Sequence, residues 1–338
     1  MQTALQNDNI DAFIRALPVG GDRVLLDLQH IKRVERPAAS ILSAALLGAL
    51  GDRPLDVRLP ESQELQRRMS ASALAFALAN RPGRTHFIGD ELDLSQWKRS
   101  WSPGSRSQID RMFKNVEIFR PDELGESEDE PSLYDRYHAA FVNLHRAAPA
   151  RGSTDVTNVV RPWLSRVLPH YMSSRGEPQR SFIHDMGVVI DELLENVREH
   201  ATQHVDERHT RSLVQVAVTK GGGVKSSDRL YLSVLDTGPG IAATARHKLD
   251  GDRAAILQDG EIVKALFAGK LAGWGRGRGL GLPRVWKCAE AWKGARIQVA
   301  TNAERLSREG GDVRRAGGFD IHGTVIVFMV PLPPKLVS

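Results

Sequence analysis

The chain has 338 residues, enough for two domains that each bury a sizeable core. Its 41% hydrophobic and 26% charged residues are a globular composition, and no apolar run approaches the roughly 18 residues that a membrane-spanning helix needs. The net charge is +5 and the sequence pI about 9.4, yet the 46 basic residues are scattered among 41 acidic ones, with no zinc-finger spacing, aromatic RNA-binding motif or helix-turn-helix. Nucleic acid is therefore not indicated as a partner, and neither is a membrane.

The opening MQTALQNDNIDAF has no basic segment followed by an apolar one, so no secretory signal is expected. The single cysteine, Cys288, excludes an internal disulfide framework and any multi-cysteine zinc site, and it fits a reducing cytoplasm. In chain order, RVLLDL from Arg23 reads as a strand, RPAASILSAALLGAL as a helix and PLDVRLP as a second strand. A helical pattern follows in ESQELQRRMSASALAFALAN. Together these make a smaller N-terminal α/β domain, residues 1–118.

Residues 119–132, FRPDELGESEDEPS, are acidic and poor in apolar side chains, which predicts an exposed linker or loop. Residues 133–179 read as a helical connector, through SLYDRYHAAFVNLHRAA and TDVTNVVRPWLSRVL. The C-terminal domain, 180–338, opens with a long helix from about 180 to 202. Two strands, RSLVQVAVT and RLYLSVLD, come next, joined by KGGGVKSSD in hairpin fashion. A helix starts near Leu280, ARIQVAT is a strand, and GTVIVFMVPLP is the last one. The polar connection NAERLSREGGDVRRAGGFDIH is expected to protrude.

Three stretches of the C-terminal domain carry chemistry. On the long helix, Glu192, Asn196 and His200 fall at i, i+4 and i+8, one polar stripe opposite Val189, Ile190, Leu193, Leu194 and Val197. A carboxylate one turn from a carboxamide can position a water and offer oxygen to magnesium, although a solvated amphipathic helix has the same pattern. In LSVLDTGPGI an apolar strand delivers Asp236, and Gly238, Pro239 and Gly240 turn the chain. There a carboxylate beside bare backbone suits an exocyclic amine, or simply closes a hairpin. In GWGRGRGLGLPRV, Gly277, Gly279 and Gly281 alternate with Arg278, Leu280 and Leu282 ahead of a helix, where backbone N–H groups bind anions. The preceding DGEIVKALFAGKLAGW is glycine-punctuated and suits a lid.

In this order, with Gly323-Thr324 opening the final strand, the motifs resemble the GHKL superfamily: the ATP-binding module of gyrase, Hsp-ninety-type chaperones, histidine kinases and MutL. The resemblance spans about 180–331 and implies a two-layer α/β sandwich, with a mixed sheet on one side and helices on the other. It implies magnesium-ATP as ligand, with Asn196 on the metal and Glu192 as the catalytic carboxylate that orients the attacking group. Asp236, Gly238, Gly240 and Thr324 would hold adenine; Gly277, Arg278, Gly279, Leu280 and Gly281 would cradle the phosphates.

Glu199 stands where many histidine kinases carry a basic residue. His184, the nearest upstream histidine, lies only two turns before the ATP-site helix, too close to belong to a separate donor helix, so a histidine kinase is not expected. The Asn-x-x-x-His spacing to His200 matches anti-sigma-factor serine kinases of the same superfamily. The N-terminal domain resembles STAS-type domains, the fold of anti-sigma antagonists. Its loop reads Arg36-Pro37-Ala38-Ala39 where those carry a phosphorylatable hydroxyl, with Ser40 close by. The resemblances imply a slow ATPase that couples nucleotide state to lid closure and to a protein partner or homodimer. The alternatives are an anti-sigma-type protein serine/threonine kinase and a non-catalytic ATP sensor.

Overall fold

A computed structural model describes residues 4–17, 19–20, 23–62, 84–88, 139–143, 168–172, 176–197, 212–219, 228–246, 257–270, 281–309 and 312–333, with single positions within 65–78 and 161–165. The elements run β1 (Ala4–Leu5), α1 (Ile10–Arg15), β2 (Val19–Gly20), β3 (Arg23–Asp27), β4 (Arg33–Val34), α2 (Arg36–Leu47), β5 (Leu55–Arg58), β6 (Thr85–Ile88) and β7 (Ala139–Asn143). They continue with α3 (Leu168–Tyr171), α4 (Glu177–Asn196), β8 (Ser212–Thr219), β9 (Arg229–Asp236), α5 (Ile241–Arg246), α6 (Asp259–Phe267) and α7 (Gly281–Ala291). The chain closes through β10 (Arg296–Thr301), β11 (Glu304–Glu309), β12 (Asp312–Gly317) and β13 (Thr324–Pro331).

Seven strands form one sheet in the order β12-β11-β10-β13-β9-β8-β7. Every pairing in it is antiparallel, which corrects the mixed sheet expected from the resemblance. Helices α4, α5, α6 and α7 cover its front face, over a core that includes Phe182, Ile190, Leu232, Ile262, Phe267, Val285 and Phe328. On helix α4, Phe182, Met186, Val189, Ile190, Leu193 and Leu194 recur at helical spacing and are all buried against that core.

The rear face is covered by the N-terminal unit. Its own sheet, β2-β3-β5-β6, pairs β3 with β5 and β5 with β6 in parallel, and α2 is the crossover between β3 and β5. Helix α2 therefore lies between two sheets, and from Pro37 to Leu47 every one of its residues is buried. Small side chains at Ala38, Ala39, Ser40, Ala44 and Ala45 permit that close approach. The second core joins Leu42, Leu46, Leu26 and Val57 to Leu213, Tyr231, Leu235, Val325 and Val327 of the large sheet. Burial on both faces explains why β9 and β13 read as nearly unbroken apolar runs.

Three sequence expectations are corrected. Residues 139–143, read as helix, are a strand paired with β8; Phe141 and Val142 favour extended backbone, and the sheet edge supplies the ladder. The polar connection 302–322 is largely a hairpin, β11 and β12, that extends the sheet rather than protruding as a loop; its residues have no strand periodicity, and the edge of β10 supplies the ladder. Of the proposed lid, Asp259–Phe267 is a helix whose Ile262, Val263, Leu266 and Phe267 are buried, so that half belongs to the core. The acidic linker 119–132 and most of the connector lie outside the described residues. Among the described residues, no helix is long and apolar enough to cross a membrane.

Candidate functional site

The site sits at the front of the sheet, where β9, β13, α4 and the start of α7 meet. Asp236, the last residue of β9, is directly opposite Thr324 in register and only 8% exposed. Burial pushes its carboxyl from 3.8 up to about 7, partly offset by the Gly238 N–H. That N–H donates to Oδ1 at 2.8 Å, while Oδ2 has no hydrogen-bond partner among the described residues. A buried carboxylate with one oxygen fixed and the other unengaged is arranged to accept a hydrogen bond from a ligand.

The turn after Asp236 is held from below by β10 and its hairpin. Gly240 has φ +86°, and a Cβ there would lie 2.8 Å from the Asn302 side chain. Asn302, itself at φ 49°, donates from Nδ2 to the Pro239 carbonyl at 3.1 Å and accepts the Gly323 N–H on Oδ1 at 3.1 Å. Thr301 Oγ1 accepts the Ile241 N–H at 2.9 Å and lies 3.3 Å from Thr324 Oγ1. Gly323 passes so close to the Asp236 carbonyl that no side chain fits. The structure thus brings Asp236, Gly238, Gly240 and Thr324 together, and adds Thr301 and Asn302. Sequence reasoning missed these last two: Thr301 ends a strand that carried no motif, and Asn302 opens the segment that was read as a polar loop.

In the helical layer, α4 presents Glu192 and Asn196 to the first turn of α7. A Cβ on Gly281 would lie 2.7 Å from Glu192 Oε2 and 3.3 Å from Asn196 Nδ2. Glycine here lets the helix start approach the polar stripe without displacing the Glu192 carboxylate. Asn196 Nδ2 donates to the Glu192 carbonyl at 2.7 Å, which leaves its Oδ1 without a hydrogen-bond partner among the described residues. Glu192 Oε1 is ion-paired with Arg284, one turn into α7. Arg284 was also missed, although its place in the helix that follows the glycine stretch was a usable signal. His200, Gly277, Arg278, Gly279 and Leu280 lie outside the described residues.

Helix α7 is fixed against the sheet from its far side. The Arg308 guanidinium lies 4.4 Å from the Trp286 ring centre, donates to the Trp286 carbonyl at 3.1 Å and pairs with Glu290 at 2.7 Å. Trp292 donates to Asp185 Oδ2 at 2.9 Å and meets the edge of Phe182. Cys288, on the same helix, has its thiol pushed up to about 11 by burial and by the Asp185 charge, so it is no nucleophile at neutral pH.

These residues fit magnesium and a nucleotide. Among the described residues, no group of three His, Cys, Asp or Glu could hold a metal unaided. The Asn196 carboxamide oxygen suits a hard cation whose remaining ligands are phosphate oxygens and water. With Asp236 at one end and the α7 N-terminus beside Asn196 at the other, an amine-bearing ring and an anionic chain have complementary ends.

No curated protein matches the chain. Nor do the comparisons support a STAS-type assignment for the N-terminal unit; its candidate hydroxyl, Ser40, is fully buried in α2, bonded to Tyr231. The family model described as histidine kinase-, DNA gyrase B-, and HSP90-like ATPase matches residues 183–334. That span runs from the helix bearing Glu192 and Asn196 past the end of the last strand, and it takes in Glu192, Asn196, Asp236, Gly238, Gly240, Gly281, Thr301, Asn302 and Thr324. Over residues 183–334 the chain thus matches this ATPase family, as a GHKL-type domain in its C-terminal part.

Proposed function

We propose that the chain binds magnesium-ATP and hydrolyses it slowly, with nucleotide state coupled to closure of the glycine stretch and to contacts with a protein partner. Asp236 accepts the adenine amine on Oδ2, with Gly238 and Gly240 lining the ring and Thr324 beside it. Asn196 holds magnesium, which supplies charge neutralisation for the β- and γ-phosphates. The glycine stretch and the N–H groups at the start of α7 receive the phosphates. Glu192 orients a water for attack on the γ-phosphate.

The observation that supports this most is the approach of Gly281 to Glu192 and Asn196. It brings the start of α7, the Asn196 carboxamide and the Glu192 carboxylate within reach of one another, as this reading requires. The test follows radiolabelled γ-phosphate from ATP with magnesium in wild type, Glu192→Ala and Asn196→Ala. Free phosphate should be released by wild type, with Glu192→Ala losing turnover while largely keeping nucleotide affinity. Normal hydrolysis by that variant would reject Glu192 as the base.

A second reading, an ATP sensor without turnover, draws support from the Arg284–Glu192 ion pair, which occupies the carboxylate that hydrolysis needs. It predicts bound ATP whose phosphate goes nowhere in any of the three proteins. Label transferred to a protein instead would favour the serine/threonine kinase alternative.

A further inference from the structure

Helix α1, in the N-terminal unit, is joined to the adenine-side loop by an unbroken chain of hydrogen bonds. Arg305 on β11 grips Asp11 through both oxygens, Nε to Oδ2 at 3.1 Å and Nη2 to Oδ1 at 2.6 Å. The pair is largely buried, with the side chains 12% and 18% exposed. Arg305 Nη1 also donates to the Asn302 carbonyl at 3.0 Å. Asn302 in turn holds the Pro239 carbonyl, in the turn that follows Asp236.

A second path runs beside the first. Residues Gly318 to Gly323 form a strap that ends against Asp236. The Phe319 N–H donates to Asp11 Oδ1 at 2.7 Å, the Phe319 carbonyl accepts from Arg305 at 2.6 Å, and the Gly318 carbonyl accepts from Arg15 at 2.6 Å. At the other end of the strap, Gly48, which caps α2, lies so close to the Ile321 and His322 carbonyls that a Cβ would collide with them. The strap finishes at Gly323, bonded to Asn302 in both directions.

We propose that Asp11 and Arg305 are positioning residues for the nucleotide pocket, through which the N-terminal unit sets adenine recognition. The proposal rests on the reading that Asp236 receives adenine. Asn302 holds a left-handed backbone that few residues other than glycine adopt readily. Its carbonyl is anchored by a guanidinium that Asp11 holds through both oxygens, together with the Glu304 and Phe319 carbonyls. Removing the carboxylate takes from Arg305 its two charge-assisted hydrogen bonds and its counter-charge, leaving only backbone carbonyls to orient it, and the strap loses the acceptor for its Phe319 N–H. Asn302 then no longer has one fixed position beneath Pro239 and Gly323. Because coupling is reciprocal, bound nucleotide tightens the docking of the N-terminal unit, and a partner that displaces that unit weakens the nucleotide.

The experiment uses the full chain with magnesium and either ADP or IDP, which carries a 6-oxo group in place of the 6-amino group, measured by calorimetry. Wild type is compared with Asp11→Ala, Asp11→Asn and Asp236→Asn. Asp11→Ala should weaken ADP roughly 3- to 30-fold and narrow the preference for ADP over IDP. Asp11→Asn, which keeps one acceptor for the Phe319 N–H, should recover part of both. A purely structural loss lowers affinity for both nucleotides alike, so an unchanged ADP/IDP ratio in Asp11→Ala overturns the proposal. If Asp11→Ala does not fold, Asp11→Asn decides by the same ratio. Loss of ADP in Asp236→Asn with wild-type behaviour in both Asp11 variants refutes the relay and leaves the pocket intact. Wild-type binding by Asp236→Asn refutes the adenine reading itself, and the relay with it.

Discussion

Replacing Asp236 with asparagine separates the cost of burying a carboxylate from its use. In the folded protein burial raises this carboxyl from 3.8 to about 7. The rise corresponds to roughly 4 kcal/mol, at 1.36 kcal/mol per pH unit. Since the folded state holds this proton more tightly than the unfolded one, the stabilising contribution is present at low pH and lost as pH rises from 3.8 towards 7; above 7 the full cost of the buried charge remains. The Asn variant has no such charge. Its stability advantage over wild type, without nucleotide, should grow by roughly 2–3 kcal/mol between about pH 5 and about pH 8. Urea denaturation of both proteins at the two pH values measures this.

Nucleotide binding should move the other way. Asparagine offers one acceptor where the carboxylate offers two, so either the Gly238 N–H or the adenine amine is left unpaired, and ADP should weaken about 10- to 100-fold. Wild-type affinity should also fall as pH drops through about 7, where Asp236 takes up its proton, more steeply than that of the variant. Phosphate titration is common to both proteins and cancels in the comparison. A stability gap that does not change with pH would refute the raised carboxyl, and unchanged ADP affinity would refute its role as the adenine acceptor.

In Gly281→Ala the new methyl falls 2.7 Å from Glu192 Oε2, so the Glu192 carboxylate must swing aside; stability should fall by about 1 kcal/mol or less, while phosphate release should fall at least about tenfold. Arg308→Ala removes the cation from the Trp286 face and from Glu290, and denaturant unfolding should show a loss of about 2–3 kcal/mol, little of it restored by Arg308→Lys. Tyr231→Phe deletes the hydroxyl 2.8 Å from Ser40 Oγ at the interface of the two units. The cost should stay near 1 kcal/mol, because Ser40 keeps Ser233 as a partner, and a loss above about 3 kcal/mol would mean the network is more tightly coupled than its geometry implies.

Local patterning carried the front of the domain. The helical spacing of Phe182, Met186, Val189, Ile190 and Leu193 specified α4, and that same spacing put Glu192 and Asn196 on one stripe. Apolar runs ending at Asp236 and starting at Thr324 specified β9 and β13, and Gly281 marked the start of α7. Each depends on a preference that a dozen neighbouring residues already express.

What lies beneath the site depends on partners far away in the chain, and no local pattern records them. The strand at 139–143 exists because β8 offers an edge. Charged β11 and β12 are strands because β10 offers β11 an edge, β11 offers one to β12, and Leu306 joins the front core. Asn302 is a hub because tertiary packing sets Pro239 and Gly323 on either side of it, and Arg305 is buried because Asp11, 294 residues earlier, arrives to pair with it. The uniform apolarity of α2 announced a buried helix; only the assembled protein shows that it lies between two sheets, on the rear face of strands whose ends hold the site. Hydrophobic periodicity reports whether a side chain leaves water, while the identity of what it meets is decided by the closing of the whole chain.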